Sequence, residues 1–359
     1  MDILSNIINI PPYSLKKHDK EKLLNLVLIK LSKYHYKKSE KYAKIIDGIN
    51  FNFNKKINYY DIPFLPVRLF KMFDLMSVHK NKVIKTMSSS GTSGQAVSKI
   101  FLDRETSSNQ TKVLSKIVSS FLGKKRVPMI IIDSESVVKD RKSFSARGAG
   151  ILGFSMFGSK RIYALDDKMN LKVELIKDFL RKNKNETILI FGFTFMIYQH
   201  FYKNLKKSKI NLDLSNSVMI HGGGWKKLIN ESISSKIFKD KLFKLCRINS
   251  VHDYYGMVEQ TGSIYMECEE GYLHAPIYSD VIIRRSHDFS IAENGEKGII
   301  QVVSILPESY PGHSLLTEDE GIIYGEDNCK CGRLGKYFKV IGRLPHAEIR
   351  GCSDTYEKK

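Results

Sequence analysis

The chain has 359 residues, of which 42% are hydrophobic and 27% are charged, and its formal net charge is +20. This composition excludes an intrinsically disordered chain and is sufficient for a large core in one domain or two. The lysines are spread along the chain, with a mild concentration in residues 16–43, and no Arg-rich stripe is present. We therefore expect no nucleic-acid partner.

The N-terminus and the cysteines bear on the compartment. Asp2 stands where a signal peptide would carry a positive charge, and no apolar run reaches the roughly 18 residues that a membrane span needs. The five cysteines are odd in number and unevenly spaced, which argues against a disulfide framework. We therefore expect a cytoplasmic protein without a membrane span.

The first sixty residues predict a helical segment. Leu24, Leu28 and Leu31 recur at helical spacing within residues 18–47, which predicts one or two amphipathic helices. Residues 62–71 contain two prolines and predict a connector. We expect residues 1–60 to pack on a main domain over residues 61–343, with a short tail at residues 344–359.

From Val83 onward, short β-type runs alternate with helical stretches. Cys246 lies in an apolar run that reads as a strand, and we expect it in the core. The alternation predicts an α/β protein with a substantial buried sheet. The predicted strands cover 83–87, 97–103, 128–133, 187–193 and 217–221, and the predicted helices cover 104–121, 168–183 and 194 to about 207.

After Tyr255 the pattern becomes β-rich. We expect helices packed on mostly parallel sheets, followed by a β-rich part over about residues 262–343. The strands predicted in this part cover 263–267, 278–285, 298–304, 320–324 and 337–341.

A Ser/Gly-rich loop lies between the first two predicted strands. Its backbone N–H groups, glycines and hydroxyls suit a phosphate cradle, although a hairpin turn explains the loop equally well. No Gly-Lys-Ser/Thr follows, so it is not a Walker A loop. Its residues are Ser88, Ser89, Ser90, Gly91, Thr92, Ser93 and Gly94, followed by Gln95.

Two further motifs follow predicted strands. Residues 221–227 read HGGGWKK, and the glycines Gly222, Gly223 and Gly224 would let a flat ligand lie against the backbone, or form a mobile turn. In residues 253–259, DYYGMVE, Tyr255 could stack on a purine and Glu259 could hold Mg²⁺; alone, a structural tyrosine at a strand end explains this motif as well.

Thr317-Glu318-Asp319 and the later Gly342-Arg343 are weak signals singly. A carboxylate suits the two hydroxyls of a ribose, and an arginine suits a phosphate or ribose edge. The order of all these motifs along the chain is more informative than any one of them.

The order resembles that of adenylate-forming enzymes, the superfamily of acyl-CoA synthetases, peptide-synthetase adenylation domains and luciferases. The chain is more closely similar to the acyl-protein synthetase family, LuxE type, from about Ile62 to Cys352. That family supplies acyl groups to a fatty-acid reductase in bacterial bioluminescence. The pieces that carry the resemblance are SSSGTSGQ, FSARGAG (144–150), FGFTF (191–195), HGGGWKK, DYYGMVEQTG and IGRLPHAEIRGC.

The resemblance implies an ATP- and Mg²⁺-dependent enzyme that activates a fatty acid or other carboxylic acid as an acyl-adenylate. The Ser/Gly loop would hold the ATP phosphates, and Tyr255 and Gly256 would line the adenine pocket. Glu259 would bind Mg²⁺, Asp319 would hold the ribose, and Arg343 would contact the ribose or the α-phosphate. We expect the loop, Tyr255, Glu259 and Asp319 to converge on one active site.

The resemblance also has a departure. Relatives that make CoA thioesters continue for about a hundred residues in a small domain that carries a catalytic lysine, whereas only 16 residues follow Arg343. We therefore expect a truncated small domain and no domain-swinging mechanism. Arg147, Lys226 and Lys227 are candidates for the missing positive charge.

The tail contains Cys352, in the sequence Arg350-Gly351-Cys352-Ser353. The resembling family carries its acyl-accepting cysteine near the C-terminus, and a thiol near Arg350 could have a lowered pKa and attack the mixed anhydride. An acyl-CoA-reductase-like protein is the partner that the family implies, and an acidic acyl carrier protein is a second candidate partner.

Four residues of the β-rich part predict a metal site. Cys329 and Cys331 form a compact Cys-x-Cys, and upstream lie Cys268 and His274. Three cysteines and one histidine suit a tetrahedral structural zinc site, although the spacing is not that of a standard zinc finger and ordinary reduced cysteines remain the alternative.

Two other functions remain open at this point. An adenylating ligase could hand its acyl group to CoA, a carrier protein or a sugar amine, and its activity would survive Cys352→Ser. A non-catalytic protein could keep the nucleotide-binding fold to bind a partner, and it would show no pyrophosphate exchange.

Overall fold

The computed structural model describes residues 3–89, 97–138, 146–225 and 231–344. The described helices are α1 (Ile3–Ile8), α2 (Lys17–Lys38), α3 (Glu40–Gly48), α4 (Leu69–Met72), α5 (Arg104–Leu122), α6 (Ala146–Phe154), α7 (Val173–Lys182), α8 (Thr194–Met196), α9 (Lys203–Ser208) and α10 (Ser235–Cys246). The described strands are β1 (Leu65–Pro66), β2 (Lys85–Ser88), β3 (Lys99–Leu102), β4 (Val127–Ser134), β5 (Gly158–Leu165), β6 (Ile188–Phe193), β7 (Ser217–Gly222), β8 (Ser250–Tyr255), β9 (Tyr265–Glu267), β10 (Leu273–His274), β11 (Ser279–Arg284), β12 (Gly298–Ser304), β13 (Ser314–Glu326) and β14 (Lys336–Arg343).

The chain divides into two compact units, each formed by segments that are distant in sequence. The first unit contains described residues 3–89, 97–120 and 256–344, and the second contains 121–138, 146–225 and 231–255. The expectation of an α/β fold with a mostly parallel part and a β-rich part is confirmed.

The second unit has a parallel sheet in the order β8-β7-β6-β4-β5. Its strands are almost continuous apolar runs, such as MIII in β4 and ILIF in β6, as expected for strands buried on both faces. Phe179 of α7, Phe201 and Phe238 of α10 belong to one buried cluster with the apolar strand residues.

The first unit has antiparallel strands in the order β11-β12-β13-β14-β10-β9, with β1 parallel to β13. Strand β13 is longer than the predicted 320–324 because β12 and β1 pair mainly with its first half and β14 pairs mainly with its second half. Strands β2 and β3 form a separate antiparallel hairpin.

The predicted helical segment consists of two helices. Ser39 ends α2 and begins α3, because its backbone is extended and its hydroxyl accepts a hydrogen bond from the N–H of Tyr42. Helix α2 is anchored in the first unit by a buried cluster in which Asp280 accepts from Lys20 Nζ (3.1 Å), Lys336 Nζ (2.6 Å) and the Tyr59 hydroxyl (2.6 Å).

Two local predictions are wrong in detail. Helix α7 begins at Val173 rather than 168, because the Asp166 carboxylate accepts the N–H groups of Lys168 and Asn170 and stabilises a turn there. Cys246 is the last residue of α10 rather than part of a strand, although it is buried as expected. Elements α6, β5, α10 and β8 were not predicted.

Candidate active site and candidate metal centre

One edge of the parallel sheet in the second unit carries residues from four of the motifs, FSARGAG, FGFTF, HGGGWKK and DYYGMVEQTG. Strands β4, β6, β7 and β8 are parallel, so their carboxyl ends lie at the same edge of the sheet. The chain runs from β4 to β5 on one side and returns to β6 on the other, so the topological switch point lies between β4 and β6. In such sheets ligands bind outside the carboxyl ends at the switch point.

At this edge, His221 lies between two other polar side chains, Thr194 and Asp253. Thr194 follows β6, and its Oγ1 lies 3.0 Å from Nδ1 of His221 and donates to the carbonyl of Gly222 over 3.2 Å. Nδ1 of His221 lies 3.5 Å from Oδ1 of Asp253. Thr194 and His221 are buried, whereas Asp253 is partly exposed. The edge therefore presents a fixed threonine–histidine–aspartate group.

A buried ion pair lies at the end of β4. Nε of Arg147 is 3.0 Å from Oδ2 of Asp133, and both side chains are more than nine-tenths buried. Burial raises the pKa of Asp133 to about 6, and the Arg147 charge opposes this shift. Arg147 thus already neutralises a carboxylate of its own chain. That Arg147 supplies the positive charge of the missing catalytic lysine stays a prediction.

Gly222 ends β7 where the ring of Tyr254 lies against its backbone. A Cβ at Gly222 would stand 2.6 Å from Cε1 of Tyr254, so no larger residue fits without a shift. The next two glycines have φ of +80° and +63°, at Gly223 and Gly224. A flat group does lie against this glycine run, and it is an aromatic ring of the chain itself.

Glu259 is fully buried in the first unit, in a single 3₁₀ turn over Val258–Gln260. Two hydrogen bonds fix this turn in place, because Gln260 Nε2 donates to the carbonyls of Val302 (3.1 Å) and Gly312 (2.9 Å). Tyr310 lies near enough for the charge of Glu259 to help raise its pKa, after burial as the larger cause. A rigidly held carboxylate of this kind is a suitable Mg²⁺ ligand.

Asp319 and Arg343 come together across the pairing of β13 with β14. They are directly opposite in the ladder, and Nε of Arg343 lies 3.4 Å from Oδ1 of Asp319. Arg343 also donates to Glu318 over 2.8 Å, and Arg68 lies 3.1 Å from the other oxygen of Glu318. The two residues predicted to hold the ribose and the phosphate are thus neighbours.

The other predicted nucleotide residues are distributed over the chain. Ser88 ends β2, and Ser89 exchanges hydrogen bonds with Ser98 at the loop end of the hairpin. Tyr255 ends β8, and Gly256 follows it. Their binding roles stay predictions. Several predicted site residues of all kinds lie outside the described part of the chain: Ser90, Gly91, Thr92, Ser93, Gly94, Lys226, Lys227 and Cys352.

The four predicted metal ligands form a cluster in the first unit. The ligand atoms of Cys268, His274, Cys329 and Cys331 all lie within 4.8 Å of one another. The sulfurs of Cys268 and Cys329 are 3.9 Å apart, and Sγ of Cys331 is 3.3 Å from Nε2 of His274. For zinc, tetrahedral geometry separates two sulfurs by about 3.8 Å and a sulfur from a nitrogen by about 3.6 Å. The residues therefore fit a metal ion.

The surroundings of the cluster also suit a metal ion. Burial lowers the pKa of His274 to about 4, so its imidazole is neutral, as a metal ligand must be. Burial raises the pKa of the Cys268 thiol to about 12, while backbone N–H groups of Tyr272 and Glu270 act in the opposite direction. Such N–H groups would stabilise a thiolate bound to a metal.

Sequence reasoning missed the contact among Thr194, His221 and Asp253, although each lies in a motif that carried the resemblance. The signal available was their position directly after or at the end of successive strands. It also missed Asp133 as the partner of Arg147.

Among the described residues, no helix is both long and apolar enough to cross a membrane.

A family model described as acyl-protein synthetase, LuxE, matches residues 1–359. The chain belongs to the acyl-protein synthetase (LuxE) family. The long-chain-fatty-acid–luciferin-component ligase of Aliivibrio fischeri is 25% identical over 192 residues, which are 52% of this chain and 50% of that protein. The chain thus matches about half the length of this curated relative of the family.

Solved structures with a similar fold are adenylate-forming ligases. A 2-hydroxyisobutyryl-CoA ligase in an open conformation, with 2-HIB-AMP and CoA, has a TM-score of 0.70 at 14% identity, and the match covers 94% of this chain and 78% of that one. The same ligase in its thioesterification state has a TM-score of 0.69 at 13% identity, covering 93% and 70%. The predicted adenylate-forming fold of this LuxE family member is confirmed.

Proposed function

We propose that the protein uses ATP to activate a fatty acid as an acyl-adenylate and then transfers the acyl group to its own Cys352. The observation that carries the proposal is the match of the LuxE family model over residues 1–359. It is supported by the fold and by the motif residues at the sheet edge, at Glu259 and at Asp319–Arg343.

In the first step, a carboxylate oxygen of the fatty acid attacks the α-phosphorus of ATP, and pyrophosphate leaves. The loop from Ser88 to Gly94 would contact the phosphates, and Asp319 and Arg343 would contact the ribose and the α-phosphate. Glu259 would hold Mg²⁺, which offsets the negative charge that develops on the leaving pyrophosphate. Gly222–Gly224, Tyr255 and Gly256 would line the adenine side.

In the second step, the Cys352 thiolate attacks the acyl carbonyl, the bond to the phosphate oxygen breaks, and AMP leaves. The thioester would then be passed to a reductase partner, in the cytoplasm. A thioester conserves the activation of the acyl group, so no second ATP is needed for that transfer.

The proposal includes zinc as the ion of the cluster formed by Cys268, His274, Cys329 and Cys331. A set of three thiolates and one imidazole is typical of a closed, structural zinc site rather than a catalytic one, which would keep an open position. Zinc therefore has no part in the two chemical steps above.

The decisive experiment incubates the purified protein with Mg-ATP and radiolabelled fatty acids of several lengths. The wild type should form acyl-AMP and a hydroxylamine-labile adduct, and Cys352→Ser should form acyl-AMP without the adduct. Cys246→Ser, a buried cysteine of α10, is the matched control and should keep the adduct. If Cys352→Ser is labelled as strongly as the wild type, self-acylation at Cys352 is ruled out; if neither protein makes acyl-AMP, the whole proposal fails.

A second experiment tests the metal role of Glu259. Glu259→Gln keeps the shape of the side chain and removes its charge, so we expect acyl-AMP formation to fall by about a hundredfold or more, with a higher Mg²⁺ requirement. Glu293→Gln, at an exposed position, should not change the rate. A rate for Glu259→Gln within a fewfold of wild type, with an unchanged Mg²⁺ dependence, would contradict the assignment.

A further inference from the structure

We propose that the zinc centre is a clasp that holds the N-terminal strap, residues 10–20, on the first unit. This inference rests on the zinc assignment above and adds a role for it. Two of the three segments that supply the ligands also supply four hydrogen bonds to the strap. One segment is the turn 327–335, between β13 and β14, and the other runs from β10 to Ile277.

The turn 327–335 carries Cys329 and Cys331 and contacts the strap through one side chain and one backbone N–H. The N–H of Lys17 donates to Oδ2 of Asp327 over 2.7 Å, at the start of α2. The N–H of Leu334 donates to the carbonyl of Tyr13 over 3.1 Å. Movement of this turn would therefore break hydrogen bonds to the strap at Tyr13 and at Lys17.

The second segment carries His274 and contacts the same strap. The ring of Tyr13 packs edge-on against the His274 ring, with centroids 6.1 Å apart. The carbonyl of Ala275 accepts from Lys20 Nζ over 3.1 Å, and the N–H of Ile277 donates to the carbonyl of Pro12 over 2.8 Å. Both ligand segments are therefore docking surfaces for residues 12–20.

The turn 327–335 is closed at its base by the hydrogen bond from the N–H of Asp327 to the carbonyl of Gly335 (3.2 Å), and its Cys-x-Cys lies beyond that closure. Asp327 and Gly335 both have positive φ, of +63° and +93°, and Asp327 Oδ1 accepts the N–H of Gly335 over 2.7 Å. Positive φ is strained for a non-glycine residue and persists only where the surroundings impose it. Ligands from three separate segments, at Cys268, at His274 and at the Cys-x-Cys of the turn, would impose it.

The strap includes the first residues of α2, and the rest of that helix carries buried polar contacts further into the unit. Ser32 Oγ lies 2.8 Å from Nε2 of His313, and Nε2 of His35 lies 2.9 Å from the carbonyl of Pro307. A clasp at the start of α2 would thus also stabilise the segment 307–313. That segment includes Gly312, whose carbonyl accepts from Gln260 next to Glu259.

The test measures metal content and hydrogen–deuterium exchange on the full-length protein, before and after treatment with a zinc chelator. We expect about one zinc per chain, and removal should raise amide exchange at least about tenfold in peptides covering residues 12–24. Peptides covering β6 and its following helix, in the second unit, should not change. Cys329→Ser should reproduce the effect, and Cys246→Ser should keep both zinc and protection.

Asp327→Asn separates the clasp from metal binding. It should keep zinc but raise exchange in residues 12–24, because the hydrogen bonds to the strap weaken. If zinc is bound and its removal leaves this exchange unchanged, the clasp is overturned and the zinc assignment stands. If no zinc is bound even after growth with added zinc, the assignment fails and the clasp with it. A rise in exchange throughout both units would also overturn a local clasp.

Discussion

The packing of Tyr254 at the carboxyl edge of the parallel sheet requires a glycine at position 222. The backbone of Gly222 is in contact with the Tyr254 ring, and that ring packs in turn on Phe154 with centroids 5.1 Å apart. The glycine is thus required by the chain's own packing, in addition to any ligand contact.

Gly222→Ala should lower the free energy of unfolding by about 1–3 kcal/mol, because the new methyl group overlaps the Tyr254 ring. Gly153→Ala is the matched control, since a Cβ there meets nothing within 4 Å and alanine favours the helix α6 in which it lies. Urea unfolding of both variants measures the difference. A loss of stability in Gly153→Ala equal to that in Gly222→Ala would contradict the steric explanation.

Arg147 forms a buried ion pair with Asp133 and neutralises the charge of that carboxylate. Arg147→Met should destabilise the protein by about 3–5 kcal/mol at neutral pH, because it leaves a buried carboxylate without its counter-charge. Arg181→Met removes an exposed Arg–Asp pair of the same unit, with Asp178, and should cost less than about 1 kcal/mol.

The pH dependence of Arg147→Met has a definite sign. The folded-state pKa of Asp133, about 6, lies above its unfolded value, and loss of Arg147 raises it further. The carboxyl group is therefore neutral and tolerated at pH 5, and its burial destabilises the fold as the pH rises through the folded pKa. Urea unfolding at pH 5 and pH 7.5 should show the larger loss at pH 7.5. An equal loss at both would indicate that packing, and not charge, is the cause.

Helix α2 is the element that brings two buried imidazoles together. His35, on α2, stacks on His313 with ring centroids 4.8 Å apart, and Nδ1 of His35 lies 2.7 Å from Ser77 Oγ. Burial lowers the pKa of His35 to about 3, and burial followed by the charge of His35 lowers that of His313. Both are neutral in the folded protein near neutral pH.

This pair should make the protein sensitive to acid. Both folded pKa values lie below the unfolded value of about 6.5, so the stabilisation is complete above pH 6.5 and is lost as the pH falls toward the folded values. Each of the two histidines should lower the free energy of unfolding by about 1.4 kcal/mol at pH 5.5 relative to pH 7.5. Denaturant titrations across this range should show a flatter profile for His35→Gln, and no change for the exposed His18→Asn. A wild-type profile without a fall between pH 7.5 and 5.5 would refute the argument.

At the scale of the whole molecule, the chain has two compact units. Trp225 is its only tryptophan, and its ring packs against Tyr198 and Phe238 of the second unit. Tryptophan fluorescence therefore reports on the second unit, while far-UV circular dichroism reports on both.

Core variants in the two units should separate these signals. Ile46→Ala, in the core of the first unit, should destabilise that unit by about 2–5 kcal/mol and shift the dichroism transition more than the fluorescence transition. Gly222→Ala should shift the fluorescence transition. If both variants move both transitions together, the chain unfolds as one cooperative body.

The sequence by itself determined the elements whose signal is local. The leucine spacing of α2 and the apolar runs of β4 and β6 predict those elements because a helix or buried strand depends on nearby residues. The motif order predicted the adenylate-forming fold, and the Cys-x-Cys with Cys268 and His274 predicted the metal centre. Helix α10 was missed although its buried residues Phe238, Leu242 and Cys246 recur every four residues, because the run around Cys246 was interpreted as a strand.

Only the tertiary structure decided which of these residues meet. Asp319 faces Arg343 because β13 and β14 pair in one register, and His221 lies between Thr194 and Asp253 because three parallel strands end together. Cys268 and Cys329 are 61 residues apart in sequence and 3.9 Å apart in space. Such contacts depend on strand order and register, which are set by long-range packing that no local pattern encodes.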